Sequence, residues 1–400
     1  MIKLFDKVIN IFKIDSLIFF KGLNKHDLLI FDDIFPNPVS GFRYEEFVQL
    51  LTHFKKSKII SNGLSYGLVG APRGQHIIDV DNFKIKYPSL KSKIFINAQF
   101  ININTKLFYC VFINNIYNNL YWLEKHKIPF VFTLYPGGGF QIDDETSNFK
   151  LKKVFDSPQF RQVIVTQKLT SDYLLRNNYC NATKINFIFG GVVPQISLIK
   201  DLTKKKQYLV NKKTLDICFC AAKYMPKGID KGYDVFIELA NLLINKYDFI
   251  RFHVIGGFDK NDIDVAVLKN NITFYGYQNF ENLNIIFLNM DLIISPNKPF
   301  YISKGSFDGF PLGTVVEAVL NGVVAMITDS LKQNSLFANN EEILIIESNA
   351  KKIESEIINL INNPKKMYDL SINGREKFAE IYSSNYQIEP RIKLLENQIA

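Results

Sequence analysis

The sequence predicts an α/β protein of two domains, each a parallel sheet with helices on both faces. The chain of 400 residues is too long for one ordinary core and comfortable for two. Short apolar or β-branched segments alternate with segments of helical periodicity, and one lysine-rich polar stretch interrupts this alternation near the middle. Two doubly wound domains are therefore expected to face each other across a cleft, where parallel sheets bind ligands beyond the carboxyl ends of their strands.

The N-terminal domain is predicted at residues 1–200. Its buried strands are expected at 27–35, 106–113, 129–135, 162–166 and 185–191. Amphipathic helices are expected between strands, for example at 43–54 and 115–127. Apolar residues at helical spacing within 1–24, with lysines off that face, predict a further helix. We expect this helix to pack on the domain, and the alternative is a basic helix that lies in a membrane interface.

The second half repeats the pattern after a linker predicted at 201–214, where lysines cluster and apolar periodicity is weak. The C-terminal domain is predicted at 215–375 and opens with the strand LDICFCAA. From Ala350 onward the pattern is helical, with one break at Asn363 and Pro364. The last segment, 376–400, is expected to form a helix that packs back on the N-terminal domain.

Composition argues against several classes of protein. Hydrophobic residues make up 47% of the chain and charged residues 22%, the balance of a well-packed soluble protein. No apolar run is long enough to span a membrane and the start lacks a secretory signal, so a cytoplasmic location is expected. Peripheral contact with the inner face of the membrane is the alternative. The net charge of +9 favours phosphates or anionic membranes but does not indicate nucleic acid as a partner.

No metal site is predicted. The four cysteines show neither zinc-ligand spacing nor the density of a disulfide framework, and the histidines are scattered. The pattern Asp-x-Asp, which some metal-dependent transferases use, occurs at Asp79 and Asp81 and again at Asp262 and Asp264. Two occurrences in one chain show how readily so short a pattern arises, and we interpret both as surface turns.

Two glycine-containing loops of the C-terminal domain could meet a ligand. The loop after LDICFCAA places Lys223, Lys227 and Lys231 just before a helix, where ammonium groups suit a pyrophosphate. The alternative is a solvated lysine-rich turn. Further on, Gly256 and Gly257 end a strand, which permits close approach of a ligand but equally serves a tight turn.

The stretch FDGFPLGTVVEAVLNG, at 307–322, combines two carboxylates with a loop of glycines and a proline. A loop from Asp308 to Gly313 is expected to lead into a helix over 314–321, with Glu317 in its first turn. Free backbone N–H groups and the helix dipole would form an anion site there. The alternative for Glu317 is a capping box with Thr314, which leaves Asp308 unexplained.

With these motifs in order, the chain resembles the retaining glycosyltransferases of family 4. The segment DGFPLGTVVEAVLNGVVAMITD, at 308–329, resembles their C-terminal signature, and FHVIGG, ITFYGYQNFENL and MDLIISPN resemble other conserved segments. The resemblance covers about 125–380 and is strongest over 215–330. It implies the GT-B fold, with two Rossmann-like domains facing across a cleft, and a nucleotide-diphosphate sugar as donor without any further cofactor.

The resemblance also implies roles for individual residues. Glu317 would bind the ribose hydroxyls, Asp308 would contact the sugar, and Lys231 would bind the pyrophosphate. The remaining implied donor-binding positions are Lys223, Gly256, Gly309, Phe310, Pro311, Leu312, Gly313 and Thr314. Two departures stand out: the two acids lie nine residues apart, one more than in the family, and Lys223 replaces an arginine, which loses the bidentate fork.

A third departure concerns the N-terminal domain, which lacks the histidine usually found after its central strand. The matching position reads FTLYPGGGF, so Tyr135, Gly137 and Gly138 are the candidates there. A second candidate loop contains Ser40, Gly41 and Arg43 after the first strand. Its alternative is an ordinary strand-to-helix turn.

The predicted function is transfer of a sugar, of the hexosyltransferase type and with retention, to a glycan or lipid-linked acceptor in surface polysaccharide biosynthesis. One alternative is a sugar-nucleotide epimerase or hydrolase that uses the same donor site. Another is a non-catalytic binding or scaffold subunit, suggested by the missing histidine and the lysine and aspartate replacements.

Overall fold

The computed structural model describes residues 18–96, 100–194 and 203–400. Within these ranges the chain forms two large parallel sheets, each covered by helices on both faces. The expected α/β class with two doubly wound domains is confirmed. None of the described helices is both long enough and apolar enough to cross a membrane.

The N-terminal half forms one large and one small sheet. Its strands are β1 (Ile18–Phe20), β2 (His26–Asp32), β3 (Ser57–Ser61), β4 (Ile94–Phe95), β5 (Phe100–Asn102), β6 (Thr105–Val111), β7 (Phe130–Leu134), β8 (Phe160–Val165) and β9 (Ile185–Phe187). The large sheet has the order β4-β3-β2-β6-β7-β8-β9, and β1 pairs with β5. Its helices are α1 (Gly41–His53), α2 (Gln75–Lys86), α3 (Ile113–Lys125), α4 (Glu145–Phe155) and α5 (Lys168–Arg176). The central strands β2, β6 and β7 are buried over most of their length, which explains their apolar sequences.

The C-terminal half contains six strands in the order β12-β11-β10-β13-β14-β15. They are β10 (Leu215–Cys220), β11 (Ile250–Ile255), β12 (Ile272–Phe274), β13 (Leu292–Ser295), β14 (Val324–Thr328) and β15 (Leu344–Ile346). The helices are α6 (Tyr233–Ile244), α7 (Phe280–Phe287), α8 (Gly313–Leu320), α9 (Ala350–Asn362), α10 (Pro364–Ile381) and α11 (Ser384–Ile399). Strands β11 and β12 follow on one side of β10, and strands β13 to β15 follow on its other side. Open α/β sheets form a ligand crevice at such a change of direction.

The N-terminal helix expected within 1–24 falls mostly on residues that the structure does not describe. Residues 1–17 lie outside the described residues, and Ile18–Phe20 form a strand, so the helix prediction is wrong for these three positions. The edge pairing of β1 with β5 satisfies backbone groups that a helix would have bonded internally. The strand predicted at 27–35 is also too long. It ends at Asp32, whose carboxylate accepts the N–H groups of Ile34 and Phe35 and turns the chain.

The Asp-x-Asp patterns do not both lie in surface turns as expected. Asp79 and Asp81 belong to α2, and Asp79 is buried and accepts a hydrogen bond from Gln75 at 2.7 Å. Asp262 does lie in a turn, where its carboxylate forms an ion pair with Lys223. In each pattern the first aspartate therefore bonds to another side chain of the protein.

The final helix packs across the two domains. The chain is helical from Ala350 with a break at Asn363 and a second break before α11 that the sequence pattern did not show. Arg391 of α11 is completely buried and donates to the carbonyl oxygen of Gly190 at 3.4 Å and to the hydroxyl of Tyr135 at 3.5 Å. Since both acceptors lie in the N-terminal half, α11 ties the end of the chain to that domain.

Candidate active site

A cavity of about 430 Å³ lies between the two domains. Its walls are loops that follow the carboxyl ends of β2, β6 and β7 on one side and of β10 and β13 on the other. The lining residues include Asp33, Arg43, Ser65, Phe112, Asn114, Asn115, Gly137, Gly138, Gly139, Tyr224, Asp230, Lys298 and Asp308. The cavity therefore occupies the place where the two sheets were expected to bind a ligand.

Asp308 and Lys231 form one cluster at this cavity. Both carboxylate oxygens of Asp308 lie 2.6 Å from Nζ of Lys231, although 77 residues separate them in the chain. Lys231 is only 3% exposed and its Nζ lies 5.1 Å from the ring centre of Tyr224. Asn297 donates to the same carboxylate at 3.3 Å. The structure thus joins the acid expected to contact the sugar with the cation expected to bind the pyrophosphate.

Asp230 adds a second carboxylate, which sequence reasoning missed. It lines the cavity, is buried, and neither of its oxygens has a hydrogen-bond partner among the described residues. Burial raises the pKa of Asp230 above its usual range, and the nearby Lys231 ammonium, at 3.9 Å, opposes this shift. The signal in the sequence is weak, because Asp230 is one acid within a lysine-rich loop.

The loop from Gly309 to Leu312 leads into α8 and faces the N-terminal domain. The carbonyl oxygen of Phe310 accepts a hydrogen bond from Nε2 of Gln167 at 3.3 Å, which bridges the domains. The helix begins at Gly313, with Leu312 as its N-cap residue and no side chain capping the first turn. The N–H of Val315 bonds to the carbonyl oxygen of Leu312 at 3.0 Å, so the N–H groups of Gly313 and Thr314 are the ones that could meet an anion.

Glu317 lies deeper, in the second turn of α8 and not in the first turn as expected. Thr314 donates its hydroxyl to the carbonyl oxygen of Cys220 at 2.9 Å, so the capping-box alternative is wrong. Glu317 is 6% exposed, and its Oε2 has no hydrogen-bond partner among the described residues. Burial raises the pKa of Glu317 to about 8. The carboxyl group is thus held without a partner at a site where a ligand hydroxyl could supply one.

Gly41 brings the N-terminal domain against this carboxyl group. A Cβ atom at Gly41 would lie 3.4 Å from Oε1 of Glu317 and 3.0 Å from the Pro194 ring. The start of α1 therefore lies next to Glu317. Ser40 already occupies the N-cap position, and the nearby Pro194 ring leaves little room for a side chain at Gly41.

Two other predicted donor residues have structural partners. Lys223 donates its ammonium group to the carboxylate of Asp262 and does not line the cavity. Gly256 adopts a φ of 123°, and a Cβ there would lie 1.9 Å from the carbonyl oxygen of Ala221. This glycine is required by the close approach of two backbone segments, which is the tight-turn alternative.

On the N-terminal side, Arg43 lines the cavity and anchors its charge network. Its guanidinium lies 2.6 Å from the carboxylate of Asp33 and 3.3 Å from that of Asp32, and its Nε donates to Ser40 at 3.0 Å. Burial works to raise the pKa of Asp33, but the Arg43 charge and the hydrogen bonds of neighbouring side chains hold it below the usual range. Asp33 is therefore ionised at neutral pH.

The glycine loop after β7 lines the cavity, whereas Tyr135 does not. Gly137 and Gly138 have φ values of 79° and 54°, and a Cβ on Gly138 would lie 2.3 Å from the Phe112 ring. Tyr135 is buried and donates its hydroxyl to Glu46 at 3.1 Å. The glycines thus shape the cavity wall, and the tyrosine holds the core behind it.

Several lining residues escaped the sequence analysis, above all Asp33, Asn114 and Asn115. Asp33 was hidden in a strand predicted to extend to residue 35. A pair of aspartates after a buried apolar run is the signal that could have placed the strand end correctly. No group of three or more potential metal ligands occurs among the residues that the structure describes.

Comparison with known proteins agrees with this architecture. Residues 203–377 match the sequence model of a family described as glycosyl transferases group 1. No curated protein matches the chain. Among solved structures, HepE of Anabaena in complex with UDP and glucose is 12% identical, with a TM-score of 0.62 over 93% of this chain and 100% of its own.

Two further structures are similar over nearly their whole length. A sucrose-phosphate synthase from Thermosynechococcus elongatus is 14% identical, with a TM-score of 0.60 over 94% of this chain and 99% of its own. A glycosyltransferase from Rickettsia africae is 15% identical, with a TM-score of 0.58 over the same shares of the two chains. The chain therefore has the GT-B fold of two Rossmann-like domains. Together with the family match over the C-terminal domain, this fold supports a glycosyltransferase.

Proposed function

We propose that the protein transfers a hexosyl group from a nucleoside-diphosphate sugar to a glycan or lipid-linked acceptor, with retention at the anomeric carbon. The observation that carries this proposal is Glu317, a buried carboxyl group whose Oε2 has no hydrogen-bond partner among the described residues, on a helix whose first turn no side chain caps. Asp308, which pairs with Lys231, precedes the same helix and lines the cleft cavity. A ribose with two neighbouring hydroxyls would satisfy the carboxyl group. A diphosphate would occupy the positive end of α8.

In this arrangement the donor diphosphate lies between α8 and Lys231, and the sugar lies in the cavity near Asp308 and Asp230. The bond between the anomeric carbon and the β-phosphate oxygen breaks while the acceptor oxygen bonds to that carbon on the same face. The acceptor proton passes to the departing phosphate oxygen. Lys231 and the helix N–H groups stabilise the charge that develops on the diphosphate.

The first nucleotide to test is uridine diphosphate, because HepE, which shares the fold, was crystallised with UDP and with UDP-glucose. The proposed setting is surface polysaccharide biosynthesis at the inner face of the membrane, where glycan and lipid-linked acceptors meet cytoplasmic nucleotide sugars. The unpartnered Glu317 is equally consistent with other bases, so a panel of UDP-, GDP-, ADP- and CMP-sugars is required.

Thermal shift with this panel tests donor binding, and turnover of the stabilising donor tests catalysis. We expect at least one nucleotide sugar to raise the unfolding temperature, and Glu317→Ala to lower turnover more than tenfold while the protein stays folded. Product analysis without acceptor separates transfer from epimerisation or hydrolysis. Failure of every nucleotide sugar to bind would contradict the proposal and favour a scaffold role.

A further inference from the structure

A second cavity, of about 630 Å³, opens on the N-terminal domain beside the cleft. It shares four residues with the cleft cavity, and these are Asp33, Ser65, Asn114 and Asn115. The two cavities therefore adjoin along these four residues. We call this second cavity the asparagine groove.

The asparagine groove follows one face of α3. Its lining residues on that helix come in pairs at 114–115, 118–119, 121–122 and 125–126, which are successive helical turns. From Asn115 to His126 the helix rises by about 16 Å at 1.5 Å per residue. The groove is thus longer than a single hexose.

Five of the fourteen lining residues carry carboxamide groups, and the end far from the cleft also contains Lys125 and His126. Besides the two shared asparagines, the groove is lined by Asn62, Asn118 and Asn119. An amide offers both donor and acceptor atoms, as a sugar hydroxyl does, so the two match in either direction. At the cleft end the charge of Asp33 is compensated. Its carboxylate pairs with the guanidinium of Arg43 and accepts a hydrogen bond from the hydroxyl of Ser65 at 2.6 Å.

Several of these amides are held in place by the protein. Asn119 donates to the carbonyl oxygen of Asn115 at 2.7 Å and accepts from the indole N–H of Trp122 at 2.8 Å. Asn115 donates to Asp33 at 3.4 Å. Fixed polar groups lower the entropy lost when a flexible ligand binds.

An exposed aromatic ring completes the groove. Tyr121 is 76% exposed, and Nζ of Lys125 lies 5.9 Å from the centre of its ring. Beneath it the floor contains the buried side chains of Phe31, Ile60 and Trp122. A sugar has a C–H face that packs on an aromatic ring and hydroxyls that form hydrogen bonds to amides. An aromatic ring at the rim with amides around it suits both surfaces.

We propose that the asparagine groove binds the sugar units behind the reacting one in a neutral oligosaccharide acceptor, which rests on the proposed glycosyl transfer. The non-reducing end would reach Asp33 in the cleft, and the following units would lie along α3 with one ring on Tyr121. An acceptor of at least two sugars is thereby selected over a monosaccharide.

The test uses saturation-transfer NMR on the full chain with neutral probes: glucose, maltotriose, cellotriose, laminaritriose and chitotriose. Trigalacturonic acid serves as the acidic probe. We expect at least one neutral trisaccharide to bind more tightly than glucose, with affinity reduced about fivefold to tenfold in Tyr121→Ala, as loss of an aromatic contact predicts. Tyr121→Phe should restore the affinity, and Tyr386→Ala, which removes another exposed tyrosine on α11, should leave it unchanged.

Three results would overturn the proposal: no neutral trisaccharide binds, binding is the same in Tyr121→Ala, or only the acidic probe binds. Thermal shift with UDP-sugars on the same proteins keeps the two proposals separate. If no trisaccharide binds but a nucleotide sugar still does, only the proposed acceptor site is contradicted. Trisaccharide binding in a protein that binds no nucleotide sugar would contradict glycosyl transfer, and the groove would then be a glycan-binding site and not an acceptor site.

Discussion

Replacing Glu317 by glutamine tests whether this carboxyl group is held protonated by burial. In the folded protein burial raises its pKa to about 8, whereas the ordinary value for a glutamate is 4.5. Between these pH values the native state binds more protons than the unfolded chain. The free energy of unfolding therefore falls as the pH rises through this window, because unfolding exposes Glu317 to water, where it releases its proton.

The magnitude follows from the size of the shift. A difference of about 3.5 pH units, at about 1.4 kcal/mol for each unit, corresponds to about 5 kcal/mol lost between pH 4.5 and pH 8. Glu317→Gln keeps the shape of the side chain and removes the titration. The free energy of unfolding of the variant should consequently change less over this range, by up to about 5 kcal/mol.

Urea unfolding of the wild type and the variant from pH 5 to pH 8.5 provides the measurement. Glu376→Gln on α10, where the glutamate is exposed, is the matched control and should follow the wild type. Parallel curves for wild type and Glu317→Gln would refute the argument, because they would mean that the carboxyl group titrates normally.

The same titration should control donor binding if ribose hydroxyls donate to this carboxylate. Ionised Glu317 accepts such bonds more strongly, so affinity for the nucleotide should increase with pH. At pH 6 about 1% of a group with a pKa of 8 is ionised, and at pH 8 half of it is, which limits the gain to about 50-fold. Calorimetric titration with UDP measures this, and an affinity in Glu317→Gln that still follows pH would contradict the assignment.

Three further substitutions test other parts of the structure. Lys231→Met should lower kcat by about 10²–10³-fold, which is the usual loss for one group that stabilises transition-state charge. An unchanged kcat would exclude Lys231 from catalysis, although it pairs with Asp308. Gly138→Ala places a side chain on a residue with a φ of 54°, and it should lower the urea midpoint by the equivalent of about 1–3 kcal/mol. A wild-type midpoint would mean that the loop relaxes without cost. Arg391→Met leaves Glu46 buried beside no cation and should cost about 3–5 kcal/mol in thermal unfolding, whereas a neutral effect would show that the pair, at 3.9 Å, contributes little.

Much of the fold is local in origin and was accessible from the sequence. Continuous apolar runs placed β6, β7, β8 and β10 within a few residues, because strands buried on both faces need no polar alternation. Alternation of strands and helices then required parallel sheets. The errors occurred where a side chain ends an element, as at Asp32, since the carboxylate takes over backbone N–H groups that apolar pattern cannot reveal.

The candidate site divides in the same way. The sequence by itself indicated the loop from Asp308 and the helix that carries Glu317, because acids in a glycine-rich strand-to-helix loop have little structural use. Only the tertiary structure decided which carboxylate each lysine pairs with: Lys231 pairs with Asp308, whereas Lys223 pairs with Asp262. Such pairs depend on which loops meet at the carboxyl edge of a sheet.

The sequence thus determined the class of fold and indicated the segment proposed to bind the donor, since both follow from periodicity and local chemistry. The tertiary structure alone decided the burial of Glu317 beside Gly41 and the assembly of the asparagine groove from Asn62 and α3. The physical reason is that burial and the pKa shift it causes are properties of everything packed around a group. Those neighbours come from segments hundreds of residues apart, whose meeting no local pattern records.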